Sequence, residues 1–85
     1  MQRMTIKEAL EVEDASGCVV YPSLYLFRDG DVVFYVGQSI HPFERLQEHL
    51  GQDDPWLEAP DRLGQLILNN HPTSLAWMME VTALE

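Results

Sequence analysis

The chain is short of cysteine, of positive charge and of long apolar runs. A single Cys18 among 85 residues leaves no internal disulfide, and no CxxC or paired Cys/His spacing is present for a structural zinc. Cys18 reads as a small buried hydrophobe at the start of a strand. Only five Lys and Arg stand against fourteen Asp and Glu, a net charge of -9. A surface of that sign repels nucleic acid at long range, because Lys and Arg contacts to phosphate dominate such affinity. Any contact with DNA then needs divalent metal, a separate basic domain or a local patch, for which Arg28, Arg45 and Arg62 are the candidates. No apolar run approaches the ~20 residues of a membrane helix, and the amino terminus is polar rather than signal-like. A soluble cytoplasmic protein is expected.

What remains is ordinary for a globular domain, with 46% hydrophobic and 22% charged residues. Eighty-five residues allow one small domain, which buries about 60% of its unfolded surface. The amino-terminal Thr5 is followed three residues later by Glu8, a capping-box spacing, with Ile6, Ala9 and Leu10 as a short apolar face. A short helix from Thr5 to Glu11 follows, then an acidic loop from Glu13 to Gly17 that reads as a solvated linker. Residues 1–18 are therefore expected as an N-terminal helix and linker, and 19–85 as the domain proper.

From Val19 to Phe27 and from Val32 to Val36 the residues are β-branched, aromatic or aliphatic, with Arg28, Asp29, Gly30 and Asp31 between them. Two strands joined by a tight antiparallel turn are predicted, Asp29-Gly30 supplying the positive φ. Tyr25 and Tyr35 then lie on neighbouring strands. Gly37 is expected to end the second strand, and Pro42 sits where a helix begins, after His41 or Ser39 as cap. Phe43, Leu46 and Leu50 recur at helical spacing, with Gly51 as the stop. Arg45 and His49 are four apart, on one helical face.

Further on, Gln52 to Pro60 reads as a loop or single turn in which Trp56 is better suited to anchoring than to base stacking. A second amphipathic helix follows from Asp61 to Asn69 through Leu63, Leu66 and Ile67, stopped by Asn70 and Pro72. Thr73 to Thr82 alternates, with Leu75, Trp77, Met79 and Val81 on one side, and is expected as a third strand. His41 and His71 each precede proline and read as turn or cap residues. The expectation is an α+β fold, a small three-stranded antiparallel sheet flanked by helices in the order (α)ββααβ.

The stretch Ser23-Leu24-Tyr25, then Tyr35-Val36-Gly37, then Arg45 and His49 resembles the GIY-YIG nuclease superfamily. The tyrosines stand ten residues apart, Arg45 falls ten residues after the second, and His49 occupies the position that the family gives to histidine or tyrosine. Ser23 replaces the glycine of the first half-motif, and Gln38 stands where some members carry lysine. The resemblance implies a metal-dependent endonuclease domain hydrolysing DNA phosphodiester bonds with Mg2+ or another divalent cation. Tyr25 would position or deprotonate the water, Tyr35 would assist or bond the phosphate, Arg45 would hold the phosphate and His49 would assist proton transfer. Gly37, Gln38 and Arg28 would line the substrate. The family's metal-binding glutamate lies on a helix after the third strand, so the domain is expected to stop before that helix. Glu80 and Glu85 are the weak candidates for the metal, whose ligand stays unassigned. A catalytically silent module of the same fold, binding a protein partner, is the alternative, and an acidic mimic of nucleic acid is a third.

Overall fold

The computed structural model describes residues 1–12, 22–51 and 60–84. Cys18, the acidic run Glu13 to Gly17, the strand start Val19 to Tyr21, Trp56 and Glu85 lie outside the described residues. The elements run β1 (Gln2–Thr5), α1 (Ile6–Leu10), β2 (Ser23–Asp29), β3 (Val32–Ser39), α2 (Pro42–His49), α3 (Arg62–Asn69), a 3-10 turn (Thr73–Ala76) and β4 (Met78–Ala83). The class is α+β. Among the described residues the sheet has four strands rather than the expected three, in the order β1-β4-β2-β3, and every neighbouring pair is antiparallel.

The added strand is the amino terminus itself. Gln2 to Thr5 pairs with Met78 to Val81, so residues placed with a separate helical segment belong to the main sheet. Four residues show too little alternation to announce a strand, and their pairing is supplied by β4. The capping box is present: Thr5 Oγ accepts from the Glu8 N–H at 3.1 Å, and Glu8 Oε1 accepts from the Thr5 N–H at 3.0 Å.

The central hairpin forms as its sequence demands. Gly30 takes φ +59°, a region that costs other residues strain, and the two-residue loop Gly30-Asp31 closes the strands. Gly37 does not end β3; it pairs with Tyr25 and the strand runs on to Ser39. A bulge between Phe27 and Arg28 sets Phe27 against Tyr35 and Arg28 against Val33, leaving Phe34 as the extra residue. Both Phe34 and Tyr35 are thereby half-buried. Phe34 stacks on Phe27 at 6.5 Å and meets Trp77 edge-on at 5.0 Å.

The described helices lie on one side of the sheet, over Tyr25, Phe27, Met79 and Val81. Phe43 and Leu46 from α2, Leu50 just after it, and Leu63 and Ile67 from α3 close that core, while Leu66 stays exposed. Residues 73–76 are not strand: the Ser74 hydroxyl donates to the Ile67 carbonyl at 2.6 Å and its N–H to the Asn70 carbonyl at 2.9 Å. Those bonds extend the end of α3 by one turn, and β4 starts only after Trp77. The other side of the sheet carries Leu24, Val33 and Val36 in the open.

Candidate active site

The end of β2 that carries Tyr25 faces the last turn of α2. Tyr25 is 1% exposed, and its hydroxyl lies 2.9 Å from His49 Nε2. The opposite ring nitrogen, Nδ1, is 2.5 Å from Asp61 Oδ2. An ionised carboxylate can only accept, so Nδ1 carries a proton toward Asp61, and when the ring holds that one proton Nε2 accepts from the Tyr25 hydroxyl. Phenol, imidazole and carboxylate thus form one directed chain of hydrogen bonds.

Local sequence explains how each member is held. Asp61 caps α3, its Oδ1 accepting from the Gly64 N–H at 3.0 Å, and its own N–H donates to the His49 carbonyl at 3.1 Å. His49 and Asp61 are therefore tied through backbone and side chain at once. Gly64 makes this possible, because a Cβ there would lie 1.8 Å from the His49 carbonyl oxygen. Gly37 does the same for the phenol. A Cβ on Gly37 would stand 2.5 Å from the Tyr25 hydroxyl, so the ring crosses β3 only over a glycine.

Tyr35 completes the aromatic enclosure. Its ring lies 5.9 Å from Tyr25 and meets His49 edge-on at 5.3 Å. Burial first, and then the nearness of the Tyr35 oxygen, push the Tyr25 pKa far above the ordinary phenol value, with Asp61 adding to the rise and Arg45 opposing it. Tyr25 keeps its proton at neutral pH. For Asp61, partial burial raises the pKa, but the Gly64 N–H, the His49 ring and Arg45 outweigh it and hold the carboxyl below its usual range. Arg45 loses charge stability to burial and regains more from Glu48, Tyr25 and Tyr35, so its pKa also rises. Its Nη1 bonds Glu48 Oε2 at 2.9 Å on the surface. The guanidinium is within electrostatic reach of both phenols and the carboxylate.

Tyr25, Tyr35, Arg45, His49 and Gly37 therefore come together. Two expected substrate contacts do not. Gln38 pairs with Leu24 and shares its side of the sheet, away from Tyr25, and Arg28 is on that same side, its Nη2 2.9 Å from Glu80 Oε2. The basic patch shrinks to Arg45 and Arg62. Glu80 does not fit a metal ligand either: it is 7% exposed, and the Arg3 Nε is a second cation at 3.2 Å from the same oxygen. Among the described residues no group of three or more His, Cys, Asp and Glu could hold a metal ion. They do not fit the divalent cation that the resemblance implies.

Asp61 is the member that the sequence did not disclose. Its signal was present as a helix cap, but nothing in a linear reading ties a cap to a histidine twelve residues earlier. Beside Tyr35 the bulge also opens a cleft of about 200 Å³, lined by Phe34, Tyr35, Arg62, Leu63 and Leu66. No helix among the described residues is long and apolar enough to cross a membrane. Comparison with family models, with curated proteins and with solved structures returned no match, so the resemblance to GIY-YIG nucleases rests on the motif residues alone.

Proposed function

We propose that this chain is a phosphodiester hydrolase domain of the GIY-YIG type acting on DNA, with a proton relay that runs from Tyr35 through Tyr25 and His49 to Asp61. The observation that carries it is the hydrogen-bonded chain Tyr25–His49–Asp61 with Arg45 beside it. A buried phenol with a raised pKa is a poor base by itself. It is a good conduit, since it donates and accepts through one oxygen.

A water beside Tyr35 gives its proton to the Tyr35 oxygen while the Tyr35 proton passes to Tyr25 and the Tyr25 proton to His49 Nε2. The imidazolium so formed is held by the Asp61 carboxylate. The hydroxide oxygen bonds to phosphorus as the bond to the leaving sugar oxygen breaks, and the imidazolium's extra proton returns along the chain to that oxygen. Arg45 carries the negative charge of the phosphate, its guanidinium suited to a bidentate grip. Such proton transfer contributes about 10²- to 10⁴-fold in rate. The divalent cation implied by the resemblance is given no step.

One fact favours a catalytically silent module of the same fold that binds a protein partner: the Tyr25 hydroxyl is already committed to His49 and closed off from bulk water. A magnesium-supplemented nicking assay on branched and duplex DNA separates the two. Cleavage that falls about 100-fold or more in both Tyr25→Phe and Arg45→Ala supports the hydrolase. Cleavage unchanged in both removes this site, and a folded wild type that cuts neither substrate leaves the silent module.

A further inference from the structure

We infer that the cleft between β3 and α3 is a binding site for one nucleotide unit, its ring inserted between Phe34 and Leu66 and its phosphate on Arg62. The cleft lies outside the hydrogen-bonded chain, and only Tyr35 belongs to both. Its volume of about 200 Å³ is below the range of drug-sized pockets and suits a single planar ring system.

Three properties select the occupant. The walls are aromatic and aliphatic, and Phe34 is braced from behind by Phe27 and Trp77, so it presents a fixed surface for stacking. Leu66 is 42% exposed on the outer side of α3, an apolar side chain left in water at the cleft's edge. Arg62 supplies the charge. Of the four arginines, Arg3 and Arg28 pair with Glu80 and Arg45 pairs with Glu48 on the surface, whereas Arg62 makes no ion pair among the described residues and is the one that lines the cleft. In a chain of net charge -9, an unpaired arginine at the rim of an apolar slot selects an anion attached to a ring. Stacking of a base on an aromatic side chain is sequence-tolerant, so no particular base is favoured.

The placing of this nucleotide next to the reacting phosphate rests on the hydrolase proposal; the binding itself does not. Thymidine 5′-monophosphate, thymidine and inorganic phosphate are the probes, titrated into the full chain and followed by amide chemical shifts. The monophosphate is expected to shift Phe34, Tyr35 and Arg62 to Leu66, and to bind about tenfold more weakly to Leu66→Asp and to Arg62→Ala. Both substitutions are on exposed positions of α3, and undisturbed amide spectra elsewhere confirm that the variants are folded. Thymidine and phosphate alone should each bind more weakly than the monophosphate. Shifts confined to the surroundings of Arg45, no binding of the monophosphate, or wild-type affinity in both variants would overturn the site. A chain that binds the monophosphate here but cleaves no DNA keeps the nucleotide site and loses the hydrolase. One that cleaves DNA with its cleft variants unimpaired in binding does the reverse.

Discussion

The two sides of the sheet each bury a polar cluster, and they differ in what their protons can do. On the open side Glu80 lies between Arg3 and Arg28, drawing β1, β4 and β2 together through fixed charges. Arginine does not release its proton, so this cluster ties strands together without a chain along which a proton could pass. On the helical side every link from Tyr25 to Asp61 can pass a proton, and the Asp61 end is 46% exposed. Burial of polar groups is common to both. A hydrogen-bonded chain along which a proton could pass belongs to one, and the proposed hydrolase site is placed there for that reason.

The largest expected effect comes from Gly64→Ala. A methyl 1.8 Å from the His49 carbonyl oxygen forces α3 off α2, and overpacking against backbone cannot be relieved by a rotamer. A loss of about 3 kcal/mol in denaturant unfolding is predicted, with the His49–Asp61 bond broken along with it. A variant as stable as the wild type would mean that the two helices are not so closely seated.

Glu80→Gln should rank second. It leaves two guanidiniums facing a neutral amide, one of them well exposed, for a cost of about 1–3 kcal/mol on unfolding. DNA cleavage per folded molecule should not change. A fall in cleavage would erase the distinction between the two clusters.

A smaller effect is expected in acid. The Asp61 carboxyl is held below its ordinary value in the folded chain, so it titrates at a higher pH when unfolded. Its contribution to stability is complete above the unfolded pKa of about 3.9 and disappears as pH falls through the lower folded value. The difference in melting temperature between wild type and Asp61→Ala should therefore shrink as pH is lowered from 5 toward 2. A difference that widened in acid would have the sign wrong.

Much of this was legible in the residues. Asp29-Gly30 announced the hairpin, Pro42 to Gly51 the central helix, and Thr5 with Glu8 the capping box, because each is a local device whose chemistry is complete within a few positions. The spacing of Tyr25, Tyr35, Arg45 and His49 also predicted their convergence. Properties set by distant partners were not legible. β1 exists because β4 offers an edge, Thr73 to Ala76 became a turn because Ser74 reaches the Ile67 carbonyl, and the bulge at Phe34 moved no apolar residue out of pattern. Arg28 and Gln38, expected at the substrate from the resemblance, lie on the side of the sheet away from Tyr25, and alternation along a strand fixes which residues share a side but not which side meets the helices. Asp61 joins His49 only once Gly64 lets α3 sit on the carbonyl of α2.

The most direct test of the relay is the protonation of the His49 ring, read by long-range nitrogen–proton NMR in the wild type and in Asp61→Asn. Asparagine still caps α3 through its carbonyl oxygen, but it turns an N–H donor toward Nδ1 in place of an acceptor. The wild type is predicted to carry its proton on Nδ1 and the variant on Nε2, where the ring can no longer accept from Tyr25. A wild type already protonated on Nε2, or a ring unmoved by the substitution, would contradict the relay.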